Sequence, residues 1–204
     1  MIERSSLKKI NTLLSNNNNW KILDIGCGYT AHDKAEFVAD VQDLSEFYKG
    51  KKEFIKIKEK KLPFKDKEFD FVIASHVIEH VDDFPFFLSE LERITNQGYI
   101  ELPTRLGDNL IFENTTDHIW WFVFDDFEKK LIACKRVQKL EPFLSVATGK
   151  QLSDLFRESF VLELLWKNKI DFIINEDKNT NYNKIKFLTL VKKYFSKRFR
   201  KLLK

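Results

Sequence analysis

Trp20-Lys21-Ile22-Leu23-Asp24-Ile25-Gly26-Cys27-Gly28 joins an apolar, strand-like run to an acidic residue and two glycines one position apart. Glycine has no Cβ to hold a ligand off the backbone and tolerates the positive φ of a chain turning out of a strand. Asp24, near the strand's carboxyl end, offers an acceptor for an ammonium group or an ordered water. The third glycine of a full dinucleotide fingerprint is replaced by Ala31, so the loop alone does not define its ligand.

The order of the downstream segments narrows the choice. A second run, Phe37-Val38-Ala39, ends at Asp40, where a carboxylate can accept from both hydroxyls of a ribose; Asp43 is the alternative. A third, Glu53 to Ile57, precedes Leu62-Pro63-Phe64. The fourth, Phe69 to Ser75, is almost continuously apolar, as a strand covered on both faces should be. The fifth, Tyr99 to Leu102, comes after the turn residues Asn96-Gln97-Gly98. Between the last two, apolar residues at 84, 87, 88, 91 and 94 predict a helix with one buried stripe. Residues 29–36 are too few for the usual crossover helix, so a short helix or a single turn must join the first two strands. The expected fold is α/β, a Rossmann-like doubly wound sheet with a shortened first crossover, whose ligands bind beyond the strands' carboxyl ends.

These segments resemble the class I S-adenosylmethionine-dependent methyltransferases, in the small subgroup that reads ILDIGCG, then LPF, then FDFV…SHVIEHV. The chain has ILDIGCG at 22–28, FVADV at 37–41, LPF at 62–64, FDFVIASHVIEHVDD at 69–83 and GYIELP at 98–103. The resemblance implies S-adenosyl-L-methionine as cofactor, with Asp24, Gly26, Cys27, Gly28 and Tyr29 around its methionine part. It implies Asp40 on the ribose, Leu62 beside the adenine, and Ser75 and His76 along the cofactor at the end of the fourth strand. Many relatives place an acid before LPF to accept from the adenine amino group; here Glu59 is the only one, among Lys58, Lys60 and Lys61.

Methyl transfer from a sulfonium needs mainly alignment, because the leaving group is already activated. A hydroxyl acceptor also profits from a base with a pKa near neutrality, and His80 and His118 are the candidates. His118 precedes the aromatic run Ile119 to Phe124 and equally suits a structural or substrate-orienting role. His76-Val77-Ile78-Glu79-His80 also spells H-x-x-E-H, in which two histidines a helical turn apart bind zinc. That chemistry needs a helix, whereas the segment leaves a strand and no third ligand is recognisable. A zinc peptidase is therefore the remote alternative, and no metal is expected.

A chain of 204 residues, 43% hydrophobic, supports one core, taken as a methyltransferase domain over 1–177. Cys27 and Cys134 form no disulfide framework, which points to a reducing compartment. Leu7, Ile10, Leu13 and Leu14 pattern a short amphipathic helix rather than a signal peptide, and no run spans a bilayer, so a cytoplasmic location is expected. Residues 119–137 read as a hairpin serving as an acceptor-site module, with a helix over 152–160 after it. A β-pair of Val161–Trp166 with Ile170–Ile174 around Asn168 should supply the sheet's antiparallel edge. Residues 1–177 carry a net charge of −6 and residues 178–204 one of +10. In 185–204 the basic residues interleave with Phe187, Leu188, Val191, Tyr194 and Phe195, a pattern suited to an anionic membrane surface, at roughly 1 kcal/mol per basic residue. Nucleic acid is less favoured, since the acidic body offers no broad basic face. The expected reaction is methyl transfer to an oxygen of a small molecule, glycan or lipid-linked intermediate. An RNA methyltransferase and a non-catalytic S-adenosylmethionine-binding protein are the alternatives.

Overall fold

The computed structural model describes residues 1–175 and 184–202. Chain order begins β1 (Ile2–Arg4), α1 (Leu7–Ser15), β2 (Ile22–Ile25), β3 (Phe37–Asp40), α2 (Ser45–Tyr48), β4 (Glu53–Lys56) and β5 (Phe71–Ser75). A 3-10 turn over Ile78–His80 leads to α3 (Phe84–Ile94), β6 (Gln97–Pro103), α4 (Arg105–Leu110) and α5 (Asn114–Asp117). Next come β7 (Trp120–Asp125), β8 (Lys130–Lys135), α6 (Val146–Leu155), α7 (Arg157–Phe160), β9 (Val161–Lys167), β10 (Phe172–Ile174) and α8 (Phe187–Leu202).

Seven strands form one sheet in the order β1-β9-β6-β5-β2-β3-β4. The five from β6 to β4 are mutually parallel, and β9 and β1 are antiparallel to their neighbours. Alternation along the strands feeds two apolar layers. Ile22, Phe71, Ile73 and Tyr99 pack against Ile10 and Leu14 of α1, while Leu23, Ile25, Val72, Ala74 and Ile100 pack against Phe84, Leu88 and Leu91 of α3. The predicted helix over 84–94 is α3; Asp83 accepts from the Phe86 N–H at its start, and Pro85 sits in its first turn.

The first crossover contains no helix, only turns across residues 26–36. The expected antiparallel edge is present but built differently. β9 pairs with β6 and with β1, Ile2 opposite Trp166, whereas β10 joins β8 in a separate three-stranded sheet of order β10-β8-β7. Asn168, at φ 63°, makes the tight turn. Beyond it the Ile170 N–H donates to Glu92 Oε1 at 2.6 Å and the Leu131 N–H to the Asp171 carbonyl at 2.8 Å, drawing the chain away from β9. The helix predicted over 152–160 is two, α6 and α7, broken at Phe156, because the end of α7 is tied to the end of β6 by the Thr104 N–H and hydroxyl. The tail segment 178–183 and residues 203–204 lie outside the described residues. Ile185 bridges to Leu140 and the Phe187 ring packs 5.2 Å from Phe143, so α8 starts docked on the body.

The predicted hairpin is β7–β8, and its aromatic run is core. Trp120 and Phe122 meet Phe84 edge-on at centroid separations of 4.9 and 5.3 Å, and Phe172 closes the same cluster at 5.3 Å. Truncating this fully buried ring, Phe84→Ala, is expected to cost about 3–5 kcal/mol in urea unfolding, with both sheets losing stability together.

Candidate active site

The chain runs outward from β2 through β3 to β4, then returns to place β5 on the other side of β2 and continues to β6. At this switch point, beyond the carboxyl ends of β2 and β5, lies a cavity of about 810 Å³ lined in part by Gly26, Gly28, Asp40, Leu62, His76 and His80.

The two glycines serve different ends. Gly26 has φ 68°, and a Cβ there would stand 2.3 Å from Val77 Cγ2, so its bareness lets the loop lie on the segment leaving β5. Gly28 has φ 50°, and a Cβ there would meet no atom within 4 Å, so of the two it is this peptide that presents bare backbone to open space. Asp40 ties loop to strand: its Oδ2 accepts from the Gly28 N–H at 2.9 Å and its Oδ1 from the Gln42 N–H at 2.8 Å. A carboxylate has about four acceptor positions, so both oxygens keep capacity for a ligand. Asp43 is turned elsewhere, accepting from the Ser45 hydroxyl and pairing with Lys56, and it does not line the cavity. Tyr48, which the sequence did not single out, donates to the Gly28 carbonyl at 2.6 Å and accepts from the Ala31 N–H.

Asp24, Cys27, Tyr29, Ser75 and His118 do not line the cavity. Asp24 is buried and accepts from the His32 N–H at 2.7 Å, bracing the loop from behind. Cys27 packs on Val38, Leu44 and Tyr48, and burial pushes its thiol up to about 11, which removes it as a nucleophile. Tyr29 is exposed and meets Phe47 edge-on, and Ser75 lies in register with Glu101.

Leu62 is held in the wall from α3, an anchoring invisible to motif reading. Its N–H donates to Glu90 Oε2 at 2.7 Å and its carbonyl accepts from Arg93 at 3.0 Å, while Arg93 also pairs with Glu90 at 2.7 Å. Glu59 reaches the cavity next to Lys58 and Lys60. Val41, Gln42, Val77 and Phe86 also line it and were not foreseen, although Val41 and Gln42 directly succeed a strand-ending acid at a ligand-binding edge.

His76 adopts φ 55°, and Ile78–His80 is a 3-10 turn, so the two histidines of H-x-x-E-H do not share a helix face. The His76 ring lies 3.2 Å from Glu79 Oε1 and 3.2 Å from Glu101 Oε1. Desolvation opposes its charge, but the hydrogen bonds to Glu101 and Glu79 outweigh it and push the pKa up to about 10. The His118 side chain is buried, with Nδ1 on Asp108 and its ring edge-on to His80 at 4.5 Å. Burial works against ionised Asp108, yet hydrogen bonds from His118 and Trp121 and the charge of Arg136 hold its pKa below the usual range. The hairpin over 119–137 supplies no lining residue; Asp117, just before it, does.

Burial pushes Asp24 up to about 7, more than the His32 N–H and the Lys52 charge lower it. Between about pH 4 and 7 the folded state binds more protons than the unfolded one, so this carboxyl destabilises the fold increasingly as pH rises and fully above 7. Asp24→Asn is therefore expected to gain in thermal midpoint relative to wild type on going from pH 5 to pH 8, read from melting curves at both values.

Residues 23–100 match the family model described as "Methyltransferase domain". No curated protein matches the chain. Among solved structures it is similar to the YcgJ protein from Bacillus subtilis at 18% identity and TM-score 0.37, over 46% of this chain and 51% of that one. The match thus spans about half the length of that relative. It is also similar to the PH0226 protein from Pyrococcus horikoshii OT3, at 17% identity and TM-score 0.46 over 80% of this chain and 89% of the other. A SAM dependent methyltransferase from Aquifex aeolicus is similar at 13% identity and TM-score 0.43, over 78% and 87% of the two chains. The likeness to a methyltransferase domain is thus carried by residues 23–100.

Proposed function

We propose that the chain moves the methyl group of S-adenosylmethionine to an oxygen of a small molecule, glycan or lipid-linked acceptor. The observation that carries this reading is the sharing of one cavity by the bare Gly28 peptide, the Asp40 carboxylate and the His80 imidazole. The cofactor supplies a methyl group already activated by its sulfonium. Asp40 would accept from the ribose hydroxyls, Gly28 would let the amino-acid end approach the backbone, and Leu62 and Ile57 would hold the adenine, with Glu59 as the acid available to its amino group. His80 Nδ1 lies 2.9 Å from the Asp117 carbonyl, which can only accept, so Nδ1 carries the proton and Nε2 keeps a lone pair at the cavity wall. Activation of the acceptor's hydroxyl is assigned to that lone pair. His118, committed to Asp108, orients this corner.

Asp82, Asp83 and Asp117 line the same cavity, which disfavours a polyanionic RNA acceptor. Among the described residues no helix is long and apolar enough to cross a membrane. The exposure of Leu188, Tyr194 and Phe195 beside Lys192, Lys193, Lys197 and Arg198 supports surface contact between α8 and anionic lipid. Retention on anionic but not on neutral vesicles checks this.

Calorimetry is expected to show one S-adenosylmethionine per chain and no binding of NAD; the reverse overturns the proposal. Asp40→Ala is expected to weaken cofactor binding by about 1.5–3 kcal/mol, for lost hydrogen bonds to a charged group. Gly28→Val should abolish binding while the protein still melts cooperatively. His80→Ala should leave cofactor affinity unchanged and lower transfer of labelled methyl groups by on the order of 100-fold.

A further inference from the structure

Glu79, His80 and His118 meet at one side of the cavity, each with a ligand-capable atom within 4.8 Å of the others. Backbone bonds bring them there. The Ile119 N–H donates to the Glu79 carbonyl at 2.8 Å, and His80 Nδ1 donates to the Asp117 carbonyl, so the chain entering β7 is stitched to the turn after β5.

Three features of the cluster point to an ion. Both imidazoles have Nδ1 fixed by an oxygen, His80 by the Asp117 carbonyl and His118 by Asp108. Asp108 also takes the Trp121 and Arg136 N–H groups, so it receives a proton from His118 rather than giving one. With Nδ1 held by an oxygen, each ring in its neutral form presents Nε2 as its acceptor, the arrangement by which a carbonyl or carboxylate orients a metal-binding histidine. Glu79 is fully buried; its Oε1 faces His76, and its Oε2 has no hydrogen-bond partner among the described residues. A buried, unpartnered carboxylate oxygen beside two imidazole lone pairs is costly, and a cation removes the cost.

We infer that Glu79, His80 and His118 form a binding site for one divalent transition-metal ion at the wall of the cavity. Two imidazoles and one carboxylate suit zinc, manganese or iron better than magnesium or calcium, and three protein ligands leave open the positions a reaction uses. This proposal departs from the expectation of no metal and takes His118 rather than His76 as the third ligand. The ion's chemical role rests on the methyl transfer proposed above, and because it takes up the Nε2 lone pair of His80, it replaces that imidazole as the group activating the acceptor's hydroxyl. An acceptor hydroxyl bound to the ion gives its proton to water more readily, because the ion lowers its pKa. The resulting oxygen anion forms the O–C bond with the methyl carbon as the C–S bond breaks, its electron pair staying on sulfur. The acceptor class is therefore a compound presenting a hydroxyl, or two neighbouring oxygens, to an ion.

The test uses the full chain stripped with chelator and titrated with Zn²⁺, Co²⁺ and Mg²⁺ in the absence of S-adenosylmethionine. Expected are one Zn²⁺ per chain, a Co²⁺ visible spectrum of low coordination number, and Mg²⁺ bound at least about 100-fold more weakly. His80→Ala, a change at an exposed ring, should weaken Zn²⁺ binding by more than about 30-fold, whereas His32→Ala, remote from the cluster, should not change it. His118→Ala should behave like His80→Ala, with a melting curve as its folding control. Absence of stoichiometric Zn²⁺, or affinity unchanged by His80→Ala, overturns the inference. Cofactor calorimetry on the same stripped protein reads the methyltransferase proposal separately, so the two can fail independently.

Discussion

The close approach of Gly26 to Val77 is the constraint on which the site depends. The loop leaving β2 and the segment leaving β5 emerge side by side from a parallel pair, and they can cross in contact only where one lacks a Cβ. With that crossing made, Gly28 faces the open cavity, Asp40 can reach back from β3 to the Gly28 N–H, and His76 is forced to positive φ. A single packing contact thus sets the floor of the cavity and the direction taken by the turn that carries Glu79 and His80.

Charge buried around that floor is arranged to be satisfied from more than one side. His76 sits between Glu79 and Glu101, Arg157 pairs with Glu101 at 2.5 Å, and the Tyr99 hydroxyl lies within hydrogen-bond distance of both Glu101 and Glu163. On the opposite wall Glu90 and Arg93 hold the Leu62 segment through its backbone. Among the described residues, Glu79 Oε2 is the carboxylate oxygen of this set that is buried without a hydrogen-bond partner.

The parallel half of the sheet was legible because its signals are local. Apolar runs marked β2, β3 and β5, the first two closed by Gly26 and Asp40, and 3.6-residue periodicity marked α3 to the residue. Strand order made Asp40 a candidate, as an acid at a strand's end, and it lines the cavity. The features that escaped are non-local. β1 is three residues long and carries no periodicity, and only the exposed edge of β9 makes it a strand. β10 looked like the partner of β9 because the turn at Asn168 is real; Glu92 and Asp171, which redirect the chain, act through backbone bonds that no motif records. The aromatic run 120–124 gave no hint of which face it buries, and Phe84 alone decides that. The partnership of His118 with His80 spans 38 positions and depends on the Ile119 bond to Glu79.

The outermost strand is made by the first few residues pairing with a segment that comes into being only near the far end of the chain, Ile2 against Trp166. Such a pairing carries a large loop-closure entropy and forms late, after the parallel strands have assembled. As a three-residue edge strand, β1 is expected to exchange its amide hydrogens before the central β2–β5 seam does.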